Sequence, residues 1–233
     1  MCLRPGKMPK LLVLSDMHGD RKAVEKAKGI IKKDKIDMLV YLGDFSEKLM
    51  DVEANIADAE YLVKELRGLT KVHALFGNCD VPEVRKLLED EGAAIHNQVI
   101  MLGKTAVAGW GGSHPTPFNT PSEFSEEEIE SSVEKLMSEA RRKGATQVIL
   151  FTHEPPARTK ADKLSFGHVG SSALRNIIDK HQPDIQVCGH IHEAKSEDLV
   201  GKTRIINVGP ARSGHFLEIT VGDCSIQTRE INL

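Results

Sequence analysis

The chain has 233 residues, 40% hydrophobic and 28% charged: enough apolar material for a sizeable core. Its net charge of -3 is too small for an acidic disordered chain or for a basic coat on nucleic acid or membrane. No apolar run nears the roughly 18 residues of a membrane-spanning helix, and the opening MCLRPGKMPK lacks the apolar stretch and small-residue cleavage site of a secretory signal.

The four cysteines, Cys2, Cys79, Cys188 and Cys224, form no CxxC pair. Neither a disulfide framework nor a thiolate zinc site is expected, and the chain reads as a cytoplasmic protein with reduced thiols. Residues 1–9 read as a flexible tail. No linker, repeat or low-complexity tract interrupts residues 10–233, which are expected to form one domain.

Leu11 to Leu14 has the pattern of a short buried strand, and helical spacing follows from Lys22 through Ile31. The rhythm repeats with a strand at Met38 to Leu42, a helix at Ala54 to Leu66, a strand at Val72 to Phe76 and a helix from Pro82 to before Gly92. Such alternation predicts parallel β-α-β units. Ile95 to Met101 and Thr105 to Ala108 read as strands with no helix between them, so an antiparallel region is expected there. Beyond the Pro/Gly-rich stretch Gly111 to Pro121, Ser125 and three glutamates open a long helix that closes on Arg141, Arg142 and Lys143, charges that suit the helix dipole. A strand at Val148 to Phe151, a helix at Ser171 to Lys180 and a strand at Ile185 to Cys188 follow. Strands at Arg204 to Val208, Phe216 to Val221 and Ser225 to Ile231 close the chain. Apolar runs of this kind are buried on both faces by a four-layer α-β-β-α sandwich of two mixed sheets flanked by helices.

Asp16 and His18, Asp44, Asn78, His153, and His190 with His192 each follow an apolar strand. Ligands bind at the carboxyl ends of strands in α/β sheets, so these five segments can converge on one site. Residues two apart in an extended backbone point to one side, so each pair, Asp16/His18 and His190/His192, is expected to grip one ion. Carboxylates, imidazoles and an amide oxygen suit Mn, Fe, Co, Ni or Zn. Seven candidate ligands exceed the needs of one open ion, and a carboxylate such as Asp44 can bridge two ions about 3.5–4 Å apart, the spacing used for in-line phosphoryl displacement.

Asp16-Met17-His18, Gly43-Asp44, Gly77-Asn78, His153 and Gly189-His190-Ile191-His192, in this order, resemble the calcineurin-like metallophosphoesterases. The resemblance implies a two-sheet, four-layer fold that hydrolyses phosphate mono- or diesters with a metal-bridging hydroxide. It implies two divalent transition-metal ions, with manganese favoured. Asp16, His18, Asp44 and His192 would hold the first ion; Asp44, Asn78, His153 and His190 would hold the second. Many members carry a leaving-group histidine directly after the asparagine, where this chain has Asn78-Cys79-Asp80. A subset of small archaeal and bacterial members resembles it in having cysteine there, and their activity is mostly toward diesters and artificial esters with good leaving groups. Thr152-His153-Glu154-Pro155-Pro156 and Gly189-His190-Ile191-His192-Glu193 are also similar to the branch of small brain metallophosphoesterases that act on cyclic nucleotides, which brings cyclic nucleotides among the expected substrates.

Cys79 is a weak proton donor and reads as a small residue lining the site. His168, in the Gly-flanked loop Phe166 to Gly170, is a candidate for the missing acid or for a phosphate contact; His114, in the Gly111 to Pro121 loop, is a candidate substrate contact. Trp110 and Phe118 flank that loop, to stack on a base or to pack it down. His73, His96, His181 and His215 are given no role, and the basic clusters at Lys32 to Lys35 and Arg141 to Lys143 read as solvated helix ends. The expected partner is a small phosphate ester, with no membrane and no dedicated nucleic-acid groove; a homo-oligomer is left open. The competing reading is a non-catalytic protein-binding scaffold on the same fold, which typically loses metal histidines that are all present here.

Overall fold

The computed structural model describes residues 8–233; the first seven residues of the expected tail lie outside them. The elements in chain order are β1 (Lys10–Leu14), α1 (Arg21–Asp34), β2 (Met38–Tyr41), α2 (Val52–Arg67), β3 (Lys71–Ala74), α3 (Pro82–Asp90), β4 (Gln98–Leu102), β5 (Thr105–Trp110) and α4 (Glu126–Arg142). They continue with β6 (Gln147–Thr152), β7 (Lys163–Leu164), β8 (Gly167–His168), α5 (Ser172–His181), β9 (Ile185–Cys188), β10 (Ser196–Val200), β11 (Thr203–Asn207), β12 (His215–Val221) and β13 (Ile226–Asn232).

One sheet runs β13-β12-β1-β2-β3 and the other β10-β11-β9-β6-β5-β4, while β7 and β8 form a separate small hairpin. β1, β2 and β3 are parallel with β12 antiparallel to β1, and β5, β6, β9 and β11 are parallel with antiparallel edges at β4 and β10. Both large sheets are mixed, as expected.

The two-residue period of a strand explains the layers. Along β1, Leu11 and Val13 face the other sheet, where they meet Ile149, Phe151 and Val187, while Leu12 and Leu14 face the helices. α1, α2 and α3 cover this outer face with Val24, Ile31, Leu62, Leu66, Val84 and Leu88. On the second sheet Leu150 turns outward beneath Ile129, Val133 and Leu136 of α4 and Leu174 and Ile177 of α5. The α4 start holds as read: Ser125 caps it and exchanges bonds with Glu128.

Most element ends lie one to three residues from the sequence reading, the β7–β8 hairpin is additional, and two differences have a clear physical reason. β4 begins at Gln98 rather than Ile95, because Asn97 takes a positive φ of 56° and breaks the ladder, leaving His96 as an isolated bridge to Gly109. β10 was not anticipated. Its residues alternate between half-buried and exposed at a sheet edge, and a charged Ser-Glu-Asp start conceals a strand that is buried only at Val200.

Candidate metal centre

The site is built where the parallel strands stop. After β1, Ser15 still bridges Pro210, and the chain then turns through Asp16 (φ 56°) and His18 (φ 44°). Asp16 N–H donates to the Gly43 carbonyl at 3.0 Å and His18 N–H to the Asp44 carbonyl at 3.2 Å, which locks the first ligand loop to the second. Asp44 (φ 62°) and His190 (φ 66°) are left-handed as well. Four candidate ligands therefore sit in a backbone region that non-glycine residues rarely occupy, a strain that persists only where the surroundings over-determine it. Gly77 and Gly189 allow the close approach, since a Cβ on Gly77 would strike the Asp44 carboxylate and one on Gly189 would strike Ser15 and Asp16.

The side chains gather into two adjoining clusters, Asp16/His18/His192 and Asp44/His153/His190, each with its ligand atoms within 4.8 Å of one another. In the first, Nε2 of His18 and Nε2 of His192 face each other at 3.3 Å, and Oδ1 of Asp16 lies 3.4 Å from His192 Nε2. In the second, His153 Nε2 lies 2.9 Å from Asn78 Oδ1, which brings Asn78 to that cluster. Asp44 joins the two: Oδ2 is 3.7 Å from His18 Nε2 and Oδ1 is 3.6 Å from His153 Nε2. The expectation for the histidine pairs needs correction. Asp16 and His18 share a cluster through a left-handed turn rather than an extended backbone, whereas His190 and His192 part, because His190 is left-handed and His192 opens a 3-10 turn.

The donor set fits divalent transition ions. Among the described residues Oδ1 of Asp16 is buried with no hydrogen-bond partner, a costly state for a carboxylate unless a cation completes it. His153 Nδ1 donates to the Leu42 carbonyl at 2.9 Å, which leaves the Nε2 lone pair toward the cluster. Burial pushes His190 down to about 4, so its ring is neutral and able to ligate at neutral pH. Burial acts to raise the Asp16 carboxyl, but the His192 imidazole 3.4 Å away and the charges of His153 and His192 outweigh it and hold it ionised, below the usual carboxylate range.

Two residues that the sequence reading passed over brace these loops. Asp80, fully buried, accepts from the backbone N–H groups of Asp44 (2.8 Å), Phe45 (2.8 Å) and Gly77 (2.7 Å). Tyr41 accepts from Met17 N–H at 2.9 Å and donates to the Asp44 carbonyl at 2.8 Å. An acid directly after Asn78-Cys79, and a tyrosine ending a buried strand, were the available signals.

A calcineurin-like phosphoesterase family model matches residues 9–194. The chain belongs to this family. It is 33% identical over 211 residues to the uncharacterized protein MJ1162 of Methanocaldococcus jannaschii, covering 88% of this chain and 89% of that one. In fold it is similar to a dimetal phosphatase from Danio rerio (TM-score 0.71, 11% identity, 96% of each chain) and to an archaeal phosphodiesterase (TM-score 0.52, 16% identity, 96% of this chain and 99% of that one). The family makes the chain a phosphoester hydrolase acting on small phosphate esters, and the two Asp/His clusters match a dinuclear centre. Among the described residues no helix is long and apolar enough to cross a membrane.

The remaining candidates lie outside both clusters. Cys79 is half-buried, its N–H donates to Asp44 Oδ1 at 3.0 Å, and burial followed by the Asp44 charge pushes its thiol far up. His114 donates through Nδ1 to the fully buried Glu154 at 2.7 Å, and its backbone N–H reaches the same carboxylate at 3.0 Å. Its loop is tied to the second cluster by Thr120, which accepts from the Asn78 amide at 3.0 Å. The exposed His168 pairs through Nδ1 with Asp162 at 2.8 Å. Trp110 is packed down against His96 and Phe124, while Phe118 is 80% exposed.

Proposed function

We propose that the protein is a dinuclear metal-dependent phosphodiesterase in which Asp16, His18, Asp44 and His192 hold one ion and Asp44, Asn78, His153 and His190 the other. The observation that carries this reading is the division of the Asp44 carboxylate, one oxygen toward each cluster. Two divalent ions there supply charge for the phosphoryl oxygens and a water acidic enough to attack near neutral pH. The chain's part is to fix their ligands. Asp80 and Tyr41 hold the Asp44 turn, Leu42 orients His153, and the glycines let the loops close over the centre. Manganese is favoured among the candidate ions because carboxylate and amide oxygens sit beside the imidazoles; iron, nickel, cobalt and zinc are the alternatives.

Diesters are favoured over monoesters by Cys79, whose raised thiol is a poor acid for an alkoxide leaving group. Among diesters, cyclic nucleotides are candidates through the resemblance of the Thr152 to Pro156 and Gly189 to Glu193 segments to the brain branch. His168 is the first candidate for the acid or a phosphate contact and His114 for a substrate contact, each with one ring nitrogen anchored on a carboxylate. A scaffold role gives no reason for a buried Asp16 oxygen left without a hydrogen bond among the described residues. A cytoplasmic setting accords with the unpaired Cys79, Cys188 and Cys224, and residues 10–233 are taken as one domain.

The test is a screen of manganese-reconstituted protein against bis(p-nitrophenyl) phosphate, p-nitrophenyl phosphate, and 2′,3′- and 3′,5′-cyclic nucleotides. Turnover of diesters above monoesters is expected. No turnover of any ester in protein carrying two ions would sink the reading.

A further inference from the structure

His18 also lines an open cleft of about 1110 Å3 beside the first cluster. Three cations face it, and two are already engaged: Arg21 with Asp58 at 3.8 Å and over the Tyr61 ring at 4.4 Å, and Lys48 with Asp51 at 3.5 Å. The third, Arg212, has no carboxylate partner among the described residues. Its one contact runs from Nη2 to Nδ1 of His192 at 3.2 Å. Among the described residues no ring other than that of His18 lines the cleft; its hydroxyls come from Ser46 and Ser213, its apolar lining from Ala54 and Ala57, and its carboxylates from Asp20, Glu47 and Asp58, of which Asp58 faces Arg21 and Asp20 caps the start of α1.

Arg212 is exposed, yet its backbone is not free to wander. It sits in a 3-10 turn, Ala211–Ser213, that Ala211 N–H ties to the Ser15 carbonyl at 2.7 Å, next to ligand Asp16. The turn closes on Gly214 at φ 84°, where a Cβ would strike the Leu233 carbonyl. The guanidinium is thus carried on a segment fixed to the first ligand loop. It stands against the outer nitrogen of His192, while the inner nitrogen, Nε2, faces Asp16 and His18. Arginine only donates, so the contact uses the Nδ1 lone pair. A ring that commits Nε2 to an ion keeps its proton on Nδ1, which turns the guanidinium toward any anion in the cleft.

We propose that Arg212 binds a second anionic group of the substrate, one removed from the scissile phosphoryl, and that the cleft holds the polar, hydroxylated unit joining the two. The substrate class is a phosphoester of a sugar or similar polyol that carries a further phosphate. A planar guanidinium matches phosphate oxygens in a bidentate manner, and its place on the far side of His192 puts the group it holds beyond the one being cleaved. A lining of hydroxyls, alanines and carboxylates that can accept from hydroxyl groups, with no stacking ring, suits a sugar better than an aryl group or an acyl chain. This inference rests on the phosphodiesterase reading above and deepens it.

Two chromogenic substrates with the same leaving group isolate the effect: the 5′-p-nitrophenyl esters of thymidine 5′-phosphate and of thymidine 3′,5′-bisphosphate. Wild-type protein is expected to favour the bisphosphate ester by about tenfold or more in KM, the range of a charged hydrogen bond. R212Q, with its ion content measured by elemental analysis, is expected to bring that ratio to about one while still binding two ions. A wild-type ratio near one, or a ratio unchanged in R212Q, overturns the proposal. So does a loss of ions in R212Q, which would make Arg212 a support for His192 rather than a substrate contact. Hydrolysis of bis(p-nitrophenyl) phosphate by the wild type is measured alongside; if that is absent, the phosphodiesterase reading has failed, and the assignment of Arg212 with it.

Discussion

Asp44→Asn separates the consequences of a shared carboxylate from those of an ordinary ligand. The asparagine can keep its oxygen where Oδ1 now accepts from Cys79 N–H at 3.0 Å, on the His153 side, and must then turn its amide nitrogen toward His18. The loss therefore falls on the first ion position, and stoichiometry is expected to drop from two ions to one. Outer partners of metal ligands are typically worth 10–100-fold in affinity, so losing a direct ligand should exceed about 100-fold. With free ion about 100-fold above its dissociation constant, that removes about 2 kcal/mol of ion-linked stability, or about 4–8 °C in Tm for a domain of this size. The ion-free protein should respond less. Burial and then the Asp44 charge push Asp80 up to about 7, while the same charge raises His153, so removing it relieves a repulsion and gives up an attraction, and ion-free Asp44→Asn should melt close to the ion-free wild type. Elemental analysis, melting curves with and without manganese, and bis(p-nitrophenyl) phosphate turnover give the three readouts. Two retained ions and near-normal turnover in Asp44→Asn, beside an inactive His192→Ala, would refute the bridging role.

Two further outcomes follow from the same geometry. Cys79→His, assayed across esters of rising leaving-group pKa with ion content checked, should flatten a steep wild-type dependence by up to the 10²–10⁴-fold typical of general acid catalysis; a flat wild-type line, unchanged in Cys79→His and His168→Ala, would remove both residues from that role. Gly43→Ala, at φ 109° with its Cβ driven into the Gly77 backbone, should cost at least about 3 kcal/mol in denaturant unfolding, whereas Gly29→Ala, mid-helix with open space around it, should gain about 0.5–1 kcal/mol.

The layers were legible because their signal is local. Short apolar runs such as Leu11 to Leu14 are bounded by polar ligand types, and alternate side chains along a strand need only pairwise burial to sort into two faces. The site was legible as a set of residue types at strand ends, but not as a geometry. Spacing cannot reveal that Asp16, His18, Asp44 and His190 are left-handed, because that conformation is imposed by contacts from other loops: Asp80 across from Asp44, and Gly43 across from Asp16. The parting of His190 and His192 has the same origin. Arg212 escaped notice for a different reason, since it follows the last parallel strand, β11, in a turn whose attachment to Ser15 is made through backbone atoms and leaves no mark in residue type.

That convergence of charged groups predicts opposite pH dependences for the two forms of the protein. In the ion-free form Asp80 is pushed up to about 7, mainly by burial. His192 is raised above its ordinary value chiefly by the Asp16 carboxylate 3.4 Å from its Nε2, and His153 is raised because neighbouring carboxylates outweigh its burial. A group whose folded pKa is raised contributes stability that is present below its unfolded value and lost as pH rises through the folded one. His190, pushed down to about 4 by burial, works against them, but only between about 4 and its ordinary 6.5. From about pH 6.5 upward the raised groups act unopposed, so the ion-free protein should lose stability between pH 6.5 and 8. With ions present the sign reverses, because ligation requires neutral imidazoles and ionised carboxylates, and every proton removed from His192, His153 or a carboxylate favours the bound state. Urea unfolding at pH 6.5 and 8, in chelator and in manganese, measures both slopes, and turnover should weaken together with ion affinity below about pH 6. Parallel slopes in the two conditions would mean that protons and ions do not compete for these side chains, and the ligand assignment would have to be abandoned with the pH argument.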